Sequence, residues 1–167
     1  IAETAERVTP DALCAVTLYH AGDNALRQVA GRRLPAHFQR TLESVEVGAR
    51  NGSCAAAVFL QRQVVVAEIA RDALWQDLRA PALAAGLRAC WSTPIRASDG
   101  RMLGTVALYF RQPRSPLRRD FELMARLTAL AGIAIERKQS EAALRASEAR
   151  YRGLFENVVE GVYRASA

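Results

Sequence analysis

Apolar positions along this chain change spacing from stretch to stretch, and each spacing predicts an element. Ile1, Ala5 and Val8 fall at helical intervals, the stub of an amphipathic helix that Pro10–Asp11 ends. Leu13 to Tyr19 is an apolar run that reads as a strand, Ala21-Gly-Asp-Asn24 is a turn, and 26–30 is the returning strand. The pattern from Pro35 to Val47 is ambiguous, with room for a short helix. Arg50-Asn-Gly-Ser is a turn, with Ser53 as candidate cap of a helix from Cys54 to about Gln61. Residues 64–69 predict a strand. Asp72 is a candidate cap for a short turn containing Trp75 and Leu78, and Pro81 opens a small helix that stops at Gly86.

The clearest sheet signal comes next. Residues 88–96 form a strand, Ser98-Asp-Gly-Arg a hairpin turn, and 103–110 the return. Both faces of Leu103–Phe110 are mostly apolar, which predicts a strand covered on both sides. After the loop Gln112-Pro-Arg-Ser-Pro116, a helical pattern runs from about Leu117 to about Leu154 without a proline. Leu123, Leu127, Leu130 and Ala134 alternate four- and three-residue steps, the seam of a paired helix. The same register continues through Arg137, Glu141, Leu144, Glu148, Tyr151 and Phe155, so the seam turns half polar. The order of elements predicts an α+β fold, an antiparallel sheet with helices on its faces.

No run approaches about 18 apolar residues, so no transmembrane span is expected. The absence of a signal-peptide pattern points to a cytoplasmic protein, and a first residue of Ile1 suggests excision from a longer chain. Net charge is +6, almost wholly arginine, with Lys138 the single lysine. The arginines are scattered, the tightest groups being the pairs Arg32–Arg33 and Arg118–Arg119, which argues against a nucleic-acid footprint. Direct membrane contact is not expected either. Cys14, Cys54 and Cys90 are widely spaced with no CxxC, so a metal site is not expected and the thiols read as reduced and buried.

Residues 86–110, Gly-Leu-Arg-Ala-Cys-Trp-Ser-Thr-Pro-Ile-Arg-Ala-Ser-Asp-Gly-Arg-Met-Leu-Gly-Thr-Val-Ala-Leu-Tyr-Phe, resemble the central hairpin of a GAF domain. Gly52-Ser-Cys-Ala-Ala-Ala and Ile69-Ala-Arg-Asp-Ala-Leu-Trp75 are similar to the helix and lid segments of that family, and residues 120–137 to its closing helix. The stretch from Ser147 to Tyr163 resembles the entry to a PAS domain. The resemblances imply a GAF domain over 1–137, a helical coiled-coil linker over 138–150, and the start of a truncated PAS domain over 151–167. They imply a bacterial multidomain signalling protein with an output domain in cis: a sensor histidine kinase of a two-component system, or an enzyme of cyclic dinucleotide turnover. The expected role is a sensory module without catalysis that passes its state through a dimeric C-terminal helix.

A GAF resemblance implies a pocket between sheet and lid. Strand alternation puts Leu103, Thr105, Ala107 and Tyr109 on one face of one strand, and Cys90, Ser92 and Pro94 on one face of its neighbour. With Trp75 and Leu78 from the lid and Cys54 from the helix opposite, these are the candidate ligand-binding residues, the ligand being an unidentified small molecule. The alternatives are a filled core that only spaces and dimerises its neighbours, and a thiol-dependent free-methionine sulfoxide reductase. The latter is argued against by Val64–Val66 standing where a second cysteine belongs, and by Cys90 lying on the strand and not in the loop before it. No cofactor is evident: no cysteine precedes a histidine as bilin attachment needs, His20 and His37 lie in turn or ambiguous segments ill-suited to ligate haem, and no signature of cyclic-nucleotide binding is present. Glu68, Asp72 and Asp77 near the lid form no acid–base pair.

Overall fold

The computed structural model describes residues 1–165, with side chains through Arg152. The chain forms two units, residues 1–132 and the stretch from Ile133 onward, the second being the continuation of the last helix. The elements are α1 (Ala2–Val8), β1 (Ala12–His20), β2 (Ala25–Ala30), α2 (Ala36–Thr41), β3 (Val45–Glu46), α3 (Gly52–Phe59), β4 (Val64–Val66), a 3-10 turn at Ala73–Trp75, α4 (Arg79–Ala84), β5 (Ala89–Arg96), β6 (Met102–Phe110) and α5 (Arg118–Ala165). The strands form one antiparallel sheet in the order β3-β2-β1-β6-β5-β4. This is the α+β architecture the patterning predicts. Side chains of the PAS-like stretch beyond Arg152 lie outside the described residues.

The sheet has two covered faces, which is why β6 is apolar on both. Toward one face, Leu13, Ala15, Cys90, Ala107 and Tyr109 pack with α3, Phe38 of α2, Trp75 and Ala82 of α4 in one core. On the other face lie Cys14, Trp91, Ile95, Val106, Leu108 and Phe110, buried outside that core. Here α1 packs on β1, and α5 buries Asp120, Met124, Leu127 and Ala131. α3 is Ala-rich and buried from Gly52 through Val58; its small side chains favour helix and let the backbone lie close to the sheet.

Two glycines set how closely the layers approach. A Cβ on Gly104 would stand 1.9 Å from the Thr17 carbonyl oxygen of β1, so β1 and β6 pair only because this position is bare. A Cβ on Gly132 would stand 2.8 Å from the Arg96 carbonyl oxygen at the end of β5, so α5 contacts the sheet there through its own backbone.

The structure corrects four expectations. Ser53 does not cap α3: Asn51 holds the cap position, and the Ser53 side chain points into the core. β4 stops at Val66 and not at 69, because Ala67 gives its carbonyl to Arg114 N (3.0 Å) and Ile69 N turns to Arg88 O (2.7 Å). Leu103 is outside the core that holds Ala107 and Tyr109, and Met102 packs against that core instead. The cause is a register shift: Ile95 pairs with Gly104 and Arg96 with Met102, so Leu103 is the extra residue of a bulge and the pleat slips by one. Finally, the expected seam of α5 is split. Leu127 is buried within its own domain and Leu123 is half-buried, whereas Leu130 and Ala134 are exposed. A straight helix turns by 3.6 residues, so Asp120, Met124, Leu127 and Ala131 line one face and Leu130 falls off it.

Replacing Gly104 with Ala is expected to destabilise the domain by about 3 kcal/mol, since neither backbone can yield a 1.9 Å overlap without unpairing β1 from β6. The check is thermal denaturation followed by circular dichroism, with an expected fall in Tm of ~10 °C.

Candidate functional site

The cup between sheet and lid is closed by one side chain. Asp72 accepts a hydrogen bond from Leu74 N at 2.9 Å, starting the short turn that carries Trp75 inward. The Trp75 ring is 1% exposed. Its Nε1–H donates to Ser53 Oγ at 2.9 Å, and Ser53 Oγ–H donates to the Cys90 carbonyl oxygen at 3.3 Å. Lid, α3 and β5 are thereby joined through one hydroxyl. Trp75 also meets Tyr109 edge-on, with ring centroids 6.3 Å apart, and Tyr109 meets Phe38 edge-on at 5.8 Å. The space left beneath is about 10 Å³, the room of a single water.

Polar groups line this nearly filled cup. Thr17 and Thr105 share a hydrogen bond of 2.8 Å across β1 and β6. The Cys54 sulfur lies 3.6 Å from the Tyr109 hydroxyl. Ser92 Oγ is buried without a hydrogen-bond partner. Cys54 carries the sulfur most readily ionised: the Cys90 thiol beside it lowers its pKa most, burial opposes, and Thr105, Tyr109 and Ser92 add smaller lowering effects. Cys90 and Tyr109 are pushed up, in each case chiefly by burial and further by Cys54.

Of the candidate residues, Cys54, Trp75, Leu78 and Tyr109 line the residual cavity directly. Thr105 reaches it through Thr17, and Cys90 and Ser92 form the wall beside Cys54. Ser53, Thr17 and Phe38 belong to the site and were missed. Thr17 carried a signal, a polar residue in the apolar run of β1 and on the same parity as Leu13 and Ala15. Ser53 carried only a misleading one, because a serine before an apolar helical run is the pattern of a cap. Among the described residues, no group of His, Cys, Asp and Glu is arranged to hold a metal ion, and no helix is long and apolar enough to cross a membrane.

Residues 1–136 match the family model described as GAF domain. A curated relative, the methyl sulfide methyltransferase-associated sensor of Methanosarcina acetivorans, is 33% identical over 159 residues, which are 95% of this chain and 16% of that protein. The chain therefore spans about a sixth of the relative it matches. Among solved structures, a domain described as that of a two-component sensor histidine kinase protein from Sinorhizobium meliloti superposes with a TM-score of 0.70 at 17% identity, covering 86% of this chain and 92% of that one. The free methionine-R-sulfoxide reductase of Neisseria meningitidis, in complex with its substrate, superposes with a TM-score of 0.64 at 17% identity, covering 81% and 73%. At such identities these two speak to fold alone.

The buried thiols and phenol set an alkaline limit on the fold. Burial, and then the Glu6 carboxylate, push Cys14 from 9.0 up to about 12. A raised acid is neutral in the fold while the unfolded thiol ionises, so its contribution to stability is intact below pH 9 and is lost as pH rises toward 12. Cys90 and Tyr109 act in the same direction. Urea unfolding at pH 8, 9 and 10 is expected to show stability falling above pH 9. Cys14→Ala should shallow that fall by up to about 1.4 kcal/mol per pH unit.

Proposed function

Because this chain belongs to the GAF domain family, we propose that it is the sensory module of a larger signalling protein, taking a small molecule into the cup and passing the change through α5 to a downstream domain. The observation that carries this reading is the cup itself: a single lid residue, Trp75, covers a wall of hydroxyls and thiols that an inert core does not need. Ser92 Oγ in that wall has only the Cys54 sulfur beside it in the closed form. A small polar molecule that displaced the indole would meet the hydroxyls of Ser53, Thr17 and Tyr109, which line the space beneath it. The relative named as a sensor supports the same role. In this reading the protein is cytoplasmic, and a PAS domain and an output domain come after α5 in cis.

A passive spacer that binds nothing is the second reading, favoured by how little of the cup remains empty. Catalysis is not assigned. The cup has the fold of the reductase neighbours, yet both of its thiols, Cys54 and Cys90, are buried in the wall.

Transmission needs a partner helix. Among the described residues of α5, the large exposed apolar side chains are Phe121 (43% exposed), Leu130 (57%), Ile133 (65%), Leu144 (62%) and Tyr151 (64%), of which Leu130, Leu144 and Tyr151 belong to the seam read from periodicity. Leu130, Leu144 and Tyr151 share one heptad row, interrupted by Arg137, which pairs with Glu141 at 2.9 Å. Two chains pairing in parallel along this row would form a weak coiled coil, the kind that holds two arrangements within a few kcal/mol. A ligand preferring one arrangement shifts the balance.

Ligand binding and helix pairing are each open to measurement. A panel of small polar molecules is expected to contain at least one that raises Tm by ~5 °C or more at saturation and slows alkylation of Cys54. Trp75→Ala, which opens the cup at a cost of about 3–5 kcal/mol, should speed that alkylation. A panel without effect on either protein leaves the spacer reading in place. For the helix, Leu130→Asp with Ile133→Asp is expected to yield a folded monomer in sedimentation equilibrium; a dimer that survives both changes removes the pairing from the mechanism.

A further inference from the structure

A second concavity lies away from the cup, where the chain enters β1 and leaves β6. It encloses about 480 Å³, and its lining includes Asp11, Arg33, Phe110, Arg111, Gln112 and Arg114. It shares no lining residue with the cup. Its size is that of a small-molecule site.

Three guanidiniums and the Asp11 carboxylate line the cleft, and the Glu6 and Asp120 carboxylates stand behind Arg33 and Arg114. None of the three is firmly engaged. Arg33 stands 3.8 Å from Glu6, whose other oxygen is taken by Cys14 N at 3.0 Å. Arg114 stands 3.8 Å from Asp120, whose other oxygen is taken by Leu117 N at 2.8 Å. Arg111 reaches the Ala85 carbonyl only at 3.5 Å. Each carboxylate thus gives one oxygen to a backbone amide and holds its arginine only loosely with the other, so an anion entering the cleft competes with it for the guanidinium. Arg114 is also held in place: its guanidinium lies 4.7 Å from the centre of the Phe110 ring and 5.4 Å from that of Trp91, and its carbonyl accepts from Trp91 Nε1 at 3.1 Å. A planar guanidinium fixed by stacking presents its remaining N–H groups in the geometry that oxyanions accept.

We propose that this cleft binds a small multivalent oxyanion, the phosphate or polycarboxylate end of a small molecule, between Arg33, Arg111 and Arg114. The site shares no lining residue with the cup. It also lies on the segment that leads into α5: an anion that engages Arg114 competes with Asp120, the residue closing the first turn of that helix. Occupancy is therefore registered at the start of α5.

The test titrates inorganic pyrophosphate, and separately citrate, into the whole chain at constant ionic strength, read by calorimetry and by Tm. The expected result is saturable binding of at least one probe with a rise in Tm, weakened at least tenfold in the Arg33→Gln, Arg111→Gln double variant. Pyrophosphate alone binding assigns a phosphate group, citrate alone a carboxylate one. Asp120→Asn, which keeps an acceptor for Leu117 N while releasing Arg114, is expected to tighten binding about threefold. Binding by neither probe, or an effect that sodium chloride reproduces, or equal binding to the double variant, overturns the site. An unchanged affinity in Asp120→Asn overturns the role given to Arg114.

Discussion

The hydroxyl of Ser53 has one proton to give, and that proton fixes the direction of the whole cup. It accepts from the Trp75 indole and so must donate to Cys90, which makes lid, helix and strand a single relay. No member of the relay has an alternative. The indole donates only, the Cys90 carbonyl accepts only, and both are buried. The lid is held closed on the sheet by this relay.

At its far end the relay touches a strand with two working faces. Cys90 looks into the cup, while the next residue, Trp91, looks the opposite way and donates to the carbonyl of Arg114 on the loop that leads to α5. The same holds one strand over, where Tyr109 belongs to the cup and Phe110 lies under the Arg114 guanidinium. A shift of β5 or β6 by a fraction of an ångström is therefore a change on both sides at once. The close backbone approaches at Gly104 and Gly132 leave little slack to absorb it. This is a physical connection through two adjacent strands, and it requires no longer pathway.

Local chemistry was legible in the sequence and tertiary chemistry was not. The hairpin about Asp99–Gly100, the Asp72 cap and the helix stop at Gly86 depend on residues within four positions of one another, and each stands where the sequence predicts it. The parity of β5 and β6 was also readable, so Cys90, Ser92, Thr105 and Tyr109 fall in or against one cup. Parity failed at Leu103, because a bulge is decided by how two strands meet and leaves no mark on either alone. Ser53 failed for a similar reason: its partners are 22 and 37 residues away, and a local rule for serine had a ready answer. The seam of α5 failed at Leu127 because one helix serves two surfaces. A leucine spacing of four and three fits either, and only the sheet decides which leucines it takes.

That division of α5 has a consequence for how a state can travel. Met124, Leu127 and Ala131 are held by the domain, and the exposed apolar row begins at Leu130, on the flank of that buried face. A rotation of the helix that improved its packing on the domain would carry Leu130 with it, since residues in a hydrogen-bonded helix cannot turn independently. Gly132, bare against the Arg96 carbonyl, is the point at which such a turn meets least side-chain resistance and most backbone resistance. The helix is thus set by the sheet and cannot adjust to a partner without the sheet adjusting too. In the proposed sensory role, a disturbance entering through the cup or through the loop that precedes the helix would reach α5 by the same contacts.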